Sequence, residues 1–427
     1  GSTLTCCMYI VDEPSVGLQP RDNERLSKVL NYLRDLGNTV LVVEHDEEII
    51  RSADHIIEIG PLAGSNGGEV IYNGDYEELL NSDDCLTAQY LRNERLVTQR
   101  RQSSTFKKWI EVIGAFKHNL KKINVKIPVN GLTVVSGVSG SGKSTLVSDV
   151  IWPSLKGSGT DVSPLASNCH EIKVPRNSVS QIEYIDQNPL GRSSRSNPVT
   201  YTKAFDPIRE LYSNQPLSRA SGFKSAHFSF NVDGGRCENC QGEGHITVEM
   251  QFMADLQLKC EVCNGKRYKD EILDVTFREK NIADVLEMTV DDALVFFKNE
   301  KPIVRLLQPL QDVGLGYLQL GQPSSQLSGG EAQRLKLASY LNKGDKQEPV
   351  LFIFDEPTTG LHFHDIRHLI SAFDSLLERG HTIIVVEHNL DLIKNADWVI
   401  DLGPDGGEYG GELVFEGTVE DLLSNKK

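Results

Sequence analysis

Residues 9–80 of this 427-residue chain align without gaps on residues 352–423, an offset of 343, with about two positions in five identical. YIVDEPSVGL matches FIFDEPTTGL, NTVLVVEHD matches HTIIVVEHN, ADHIIEIGP matches ADWVIDLGP, and GDYEELL matches GTVEDLL. A repeat of this kind is a duplicated structural unit, so the two copies must fold alike. Each copy reads as an apolar strand ending in Asp-Glu, then a helix of roughly 15 residues and a second apolar strand ending in Glu-His. A glycine-rich turn and a short hairpin complete the copy. That order is parallel α/β. A glycine loop precedes the second copy, whereas nothing ahead of residue 9 supplies one to the first. The chain is therefore expected to begin inside its first domain and to be part of a longer protein.

In NGLTVVSGVSGSGKSTLVSDVIW an apolar strand, Leu132 to Ser136, runs into GVSGSGKS at Gly137–Ser144 and then into a helix. This is the context a phosphate loop requires. Gly137, Gly140 and Gly142 let the amides around Ser139 and Ser141 turn inward on phosphate oxygens at a positive helix end. Lys143 adds a point charge, the Ser144 hydroxyl can ligate Mg²⁺, and Thr145 completes the nucleotide-binding set. ATP and Mg²⁺ are the expected ligands. VLFIFDE, 350–356, is a buried strand that delivers two acids at its tip. Asp355 would hold Mg²⁺ through water and Glu356 would orient or deprotonate the attacking water.

QLSGGEAQRLKLASYL, 326–341, resembles the signature of ABC ATPases. In that family Ser328, Gly329 and Gly330 would open a helix onto a γ-phosphate held by the opposite cassette, so that ATP joins two cassettes head to tail. His388, after HTIIVVE, matches the family's switch histidine, although a histidine at a strand end is also an ordinary structural residue. Gln187, in IEYIDQNP, matches the glutamine that senses Mg²⁺ and the nucleophilic water. Asp12, Glu13 and His45 are the counterparts in the first copy. By the head-to-tail rule the site at Lys143 needs a second signature, so this chain alone is expected to bind nucleotide and hydrolyse it poorly as a monomer.

The interval between phosphate loop and signature is about 180 residues, room for an insertion. It contains Cys237-Glu-Asn-Cys240 and Cys260-Glu-Val-Cys263, the spacing of a tetrahedral four-cysteine Zn²⁺ site. ITVEMQFMADLQLK between the pairs alternates like a hairpin. The remaining cysteines (Cys6, Cys7, Cys85, Cys169) are scattered, which fits free thiols in a reducing compartment better than a disulfide framework. No run of about 18 uncharged apolar residues and no signal-peptide pattern occurs, so a cytoplasmic protein with no membrane association is expected. The net charge is −16, which disfavours nucleic acid on average, but its distribution is uneven. Residues 88–126 hold ten Lys or Arg against two acids, and 191–230 hold six against two. In the second stretch Arg192, Arg195, Lys203, Arg209, Arg219 and Lys224 stand on what reads as a Gly/Ser/Pro/Asn-rich loop. Spaced cations of this kind suit DNA phosphates, or equally a solvated loop.

GRSSRSNPVTYTKAFDPIRELY, FSFNVDGGRCENCQGEGHITVEMQFMADLQLKCEVCNGKRY, NIADVLEMTVDDA and DEPSVGLQPRDNERL resemble the UvrA family, the damage-sensing ATPases of bacterial nucleotide excision repair. The resemblance covers nearly the whole chain, as a C-terminal portion. It implies an ATPase that dimerises, binds damaged double-stranded DNA and loads a UvrB-type helicase subunit without cutting DNA itself. The docking domain for that subunit has no counterpart here. The expected architecture is α/β, with ABC-type cassettes, one partial and one complete, and an inserted zinc-ribbon and signature subdomain. Its parts would be 1–85, the end of a first cassette; 86–108, a basic linker; 109–155, the start of the second cassette; 156–300, the insertion; and 301–427, the remainder. A transporter ATPase subunit shares the loop and signature but gives no reason for the cysteines. A chromosome-structure ATPase would need long heptad helices, and a degenerate scaffold would not keep Lys143, Asp355, Glu356 and His388. A paralogue serving antibiotic self-resistance stays open.

Overall fold

The computed structural model describes residues 5–15, 18, 20–61, 64, 67–92, 105–156, 168–188, 195–248, 250, 256–342 and 348–424. The chain divides into two compact units, Gly1–Gln187 with Gly344–Lys427, and Asn188–Lys343.

In the first repeat copy β1 (Met8–Asp12) and β2 (Thr39–Val43) pair in parallel across α1 (Pro20–Asp35). Asp22 in the first turn of α1 and Arg34 in the last complement its dipole, and Gly37, at φ 85°, lets the chain leave the helix. β3 (Ile56–Gly60) and β4 (Glu69–Gly74) form an antiparallel hairpin. The expected linker at 86–108 instead opens with a packed helix, α2 (Leu86–Leu91). Its Thr87, Ala88 and Tyr90 are buried, and Ala88 packs with Leu79 and Cys85, because the apolar residues of LTAQYL fall on one face ahead of the basic run. Residues 93–104 of the linker lie outside the described residues.

The second cassette begins with β5 (Trp109–Ala115), β6 (Ile123–Pro128), β7 (Leu132–Gly137), β8 (Glu171–Lys173) and β9 (Gln181–Ile185). The phosphate loop follows β7 and enters a helical stretch, Thr145–Ile151 in π winding and then Trp152–Leu155. The chain next builds the second unit, which includes the antiparallel hairpin β10 (His245–Val248) and β11 (Leu256–Lys259) and the signature helix α3 (Gly329–Leu341). It returns through β12 (Val350–Asp355), α4 (Phe363–Glu378), β13 (Thr382–Val386), β14 (Trp398–Gly403) and β15 (Glu412–Gly417). One six-stranded sheet results, in the order β15-β14-β7-β13-β12-β9, parallel except for β15. β6-β5-β8 form an antiparallel sheet. β7, β12 and β13 are buried almost throughout, the continuous apolar pattern of parallel strands covered on both faces.

Residues 195–230 of the basic stretch are largely helical where the sequence reads as a loop. Pro198–Tyr201, Phe205–Ser213 and Pro216–Ser221 are short helices. The Pro and Asn that suggested a loop are cap residues: Asn197 accepts the Thr200 amide ahead of Pro198, and Gly222 closes the last helix at φ 72°. Tyr212, Phe228, Phe230 and Tyr268 fill the core beneath. The buried hydroxyls of Tyr212 and Tyr268 donate to the carbonyls of Lys280 and Phe228.

Candidate active site and metal centre

The phosphate loop is shaped by glycines that no other residue could replace. Gly137 sits at φ 137° with a Cβ position 2.1 Å from the Leu402 carbonyl oxygen, and Gly142 sits at φ 106° against Leu120 and Asn119. The Asn119 amide donates to the carbonyls of Gly140 and Gly407, and the Gly407 N–H donates to the Gly140 carbonyl, which fixes the loop's outer edge. Ser139, Gly140 and Ser141 form the turn, and Ser144 and Thr145 open the helix that follows. The buried Lys143 ammonium donates to the Gly137 and Val138 carbonyls, and burial pulls its pKa down. The Ser141 hydroxyl is buried with no hydrogen-bond partner, an orphan that a phosphate oxygen would satisfy.

β12 carries Asp355 to its tip, and Glu356 follows with its amide donating to the Val386 carbonyl. Glu356 has φ 45°, a left-handed conformation that costs a non-glycine residue about 1–3 kcal/mol. Burial pushes its carboxyl above the usual range, with His388 and Lys143 opposing and Glu387 and Asp355 adding. Asp355 is raised by the same cause, opposed by the Tyr184 hydroxyl that donates to it at 3.0 Å. The Gln187 side-chain amide donates to the Glu356 carbonyl, which puts the predicted sensor glutamine beside the predicted base. The half-buried carboxyls of Asp355 and Glu356 near Lys143 are a donor set suited to a divalent cation that arrives with phosphate.

Two contributors were not singled out from the sequence. Glu387, fully buried, accepts the amides of Thr358, His388 and Asn389 and the Thr358 hydroxyl, so it locks the His388 turn to the loop after Glu356. Its signal was present in both copies as VVEH. Tyr184 bridges Asp355 to Ser148 on the phosphate-loop helix and is pushed up to about 12 by burial.

The first copy repeats this layout. Glu13 has φ 43° and donates its amide to the Val43 carbonyl, and Asp12 ends β1. His45 Nε2 lies 3.6 Å from Glu13 Oε1. Glu44 accepts the amides of Ser15, His45 and Asp46, as Glu387 does in the second copy. A cleft of about 300 Å³ runs between the copies, lined by His45, Asp46, Thr358, Gly360 and His388. Beside it a polar relay joins them: His362 Nε2 donates to Thr87 Oγ1 at 2.9 Å, and Thr87 donates to Glu58 at 2.5 Å. His362 Nδ1 accepts the His364 amide, so the Nε2–H tautomer satisfies the whole chain.

In the second unit Cys237, Cys240, Cys260 and Cys263 are buried with their sulfurs within 4.8 Å of one another. Cys237 and Cys260 are 4.0 Å apart and Cys240 and Cys263 3.6 Å, against about 3.8 Å between thiolates on a tetrahedral zinc ion. The Gly244 amide donates to Cys240 Sγ and the Asn239 side chain to Cys260 Sγ, donors that favour thiolates. The residues therefore fit Zn²⁺. Ser328 caps α3 by accepting the Glu331 amide, while Glu331 returns to the Ser328 N–H, leaving Gly329 and Gly330 in the first turn. Of the cations read as DNA contacts, Lys203, Arg219 and Lys224 are exposed. Arg195 pairs with Glu243, just after the first cysteine pair, at 3.7 Å, and Arg209 pairs with Asp206. Arg192 lies outside the described residues.

This fold and this loop define the ATP-binding-cassette class of phosphate-loop folds, with a partial and a complete cassette and an inserted four-cysteine and signature region. Across its length the chain is 51% identical to UvrABC system protein A of Aquifex aeolicus, covering 100% of this chain and 46% of that protein. The corresponding protein of Thermus thermophilus is also 51% identical, over 99% of this chain and 44% of its own length. The crystal structure of UvrA2 from Deinococcus radiodurans superposes with a TM-score of 0.91 at 44% identity, over 98% of this chain and 51% of that one. Ribosome-bound archaeal Pelota and ABCE1 gives a TM-score of 0.50 at 18% identity, a likeness of fold. No protein-family model matches. The chain belongs to the UvrA family and spans less than half the length of these curated relatives. No helix among the described residues is long and apolar enough to cross a membrane.

Proposed function

We propose that this chain binds and hydrolyses ATP with Mg²⁺ at its second copy and, within a longer UvrA-type protein, couples that cycle to the detection of damaged double-stranded DNA. The observation that carries the ATPase reading is the convergence of Lys143, Asp355, Glu356, Gln187 and His388 at the C-terminal edge of one parallel sheet, where phosphate-binding sites of such sheets lie. Lys143 and the loop amides would hold the β- and γ-phosphates. Mg²⁺, held through Ser144 and Asp355, would neutralise developing charge. Glu356, made more basic by burial and aimed by its strained backbone, would accept the proton of the attacking water, and His388 would contact the γ-phosphate. Ser328, Gly329 and Gly330 would serve the γ-phosphate of a partner cassette, so full turnover would require a homodimer or a further cassette.

For DNA, the reading rests on family membership and on the exposed Lys203, Arg219 and Lys224. The Arg195–Glu243 pair supports a role for a zinc-loaded ribbon in holding this stretch rather than reading bases. Contacts of this kind carry no sequence information, as a sensor of distortion requires. Handing the lesion to a UvrB-type subunit, dimerisation and a cytoplasmic setting follow from the same kinship, and neither the self-resistance nor the transporter alternative gains support. The test is binding of damaged and undamaged duplexes across a salt titration, with and without Mg-ATP, for the chain and for Lys203→Glu/Arg219→Glu. The reading predicts weaker binding and a shallower salt slope in the variant. An unchanged slope would remove the DNA assignment and leave the ATPase intact.

A further inference from the structure

Three of the chain's eleven histidines fall within seven residues, at 362, 364 and 368, and the nucleotide chemistry uses none of them. His364 and His368 are four apart on α4, one turn, so their rings meet on one face. The ring centroids are 4.9 Å apart at 82°, and the two Nε2 atoms face each other at 3.4 Å. That is long for a hydrogen bond between imidazoles. It matches the roughly 3.3 Å between two nitrogens bound at about 2.05 Å to one tetrahedral ion. The other nitrogen of His364 is also accounted for: Nδ1 lies 3.3 Å from the Tyr90 hydroxyl. An Nδ1–H donated to that oxygen would leave the Nε2 lone pair for a metal, the usual support for a metal-ligating histidine. Tyr90 is itself immobilised, buried on α2 and stacked on Phe363 at 5.8 Å. Both histidines are half-buried, open enough for water to complete a coordination shell.

We propose that His364 and His368 form a second metal site, a two-histidine chelate for a divalent first-row transition ion of the zinc class, distinct from the four-cysteine centre. Its ligands are neutral imidazoles, so the site favours Zn²⁺, Ni²⁺ or Cu²⁺ over Mg²⁺ or Ca²⁺. Because Tyr90 stands on α2, which follows the first repeat copy, and the ligands stand in the second copy, metal here ties α2 to the start of α4.

The test is a Co²⁺ titration of the full chain, purified with its cysteine centre loaded with zinc and freed of loose metal, followed by optical absorption. One additional ion per chain should bind, with a visible spectrum lacking the near-ultraviolet sulfur charge-transfer band that cysteine ligation would give. His368→Gln should abolish it. Tyr90→Phe, which keeps the ring packing, should weaken binding about tenfold to hundredfold. Binding that survives both His364→Gln and His368→Gln, or no binding of Co²⁺ or Zn²⁺ to the zinc-loaded chain, would overturn the proposal. A zinc titration by calorimetry of the wild-type chain and His368→Gln gives the same decision without a spectroscopic probe.

Discussion

The two copies of the repeat have the same backbone pairings and opposite surroundings. Met8 pairs with Thr39 and Leu351 with Thr382, Ile56 with Gly74 and Val399 with Gly417, each pair displaced by the same 343 residues. Even the register shift recurs, at Glu58/Ile59 and at Asp401/Leu402. Yet Ile10 is 69% exposed where Ile353 is 0%, and Ile59 66% where Leu402 is 1%. The second copy has added neighbours: β9 flanks β12, the strand of Ile353. In the second copy β7 stands between β13 and β14; in the first, a cavity of about 430 Å³ lies between β2 and β3, lined by Val40, Leu41, Val42, Ile56 and Ile57. Local pairing, cap chemistry and the strained glutamate are thus common to both copies, whereas burial differs with the strands beside them, β7 and β9 in the second copy. The nucleotide site proposed at the second copy draws on the loop that follows β7.

Truncating the matched isoleucines should separate the copies most strongly. Ile353→Ala should cost about 2–5 kcal/mol of stability, the usual range for a buried aliphatic, while Ile10→Ala should stay within about 0.5 kcal/mol. Chemical denaturation of both variants checks this, and equal losses would mean that the first copy is packed as tightly as the second. Next in size, Lys143→Ala should weaken ATP binding roughly tenfold to hundredfold by removing a charge-assisted contact. Glu13→Gln should leave binding by a fluorescent ATP analogue unchanged.

The junction between the copies offers a pH readout. Burial holds His362 down to about 4, below its ordinary 6.5. As pH falls through 6.5 the unfolded chain takes up a proton that the folded chain refuses until about 4, so stability is full above 6.5 and lost in between. The loss attributable to His362 at pH 5 should be about 2 kcal/mol. Glu58, raised by burial, acts in the opposite sense and is common to both proteins compared. Thermal melts from pH 7 to pH 5 should therefore show a shallower decline for His362→Gln than for the wild type, and parallel curves would refute the relay. The smallest expected effect is that of Thr87→Val, which leaves the His362 N–H and the Glu58 carboxylate without their link, at about 1–2 kcal/mol. Faster hydrogen exchange in α2 would register it.

Much of this was legible in residues. The phosphate loop, the Asp355-Glu356 tip, the cysteine spacing and the β10–β11 hairpin each follow from local chemistry that tertiary context did not alter. The Gln187 side chain, singled out by its motif, donates to the Glu356 carbonyl. What could not be read was set by long-range packing. Nothing in YIVDE distinguishes an exposed strand from the buried FIFDE, because exposure depends on whether a third strand is adjacent. The basic stretch looked like a loop because Asn197, Pro198 and Gly222 are common in loops, yet the same residues start and stop helices. Arg195 looked like a free cation because its partner, Glu243, lies 48 positions along the chain.

The most direct test of the claim that one copy carries the chemistry is steady-state ATP turnover by the chain and by two matched variants, Glu356→Gln and Glu13→Gln, at equal Mg²⁺ and protein concentration. Whatever rate the chain shows, Glu356→Gln should lower it about 100-fold or more while Glu13→Gln leaves it within a factor of two, at roughly the scale of a lost general base. Equal losses in both variants, or a loss confined to Glu13→Gln, would contradict the account.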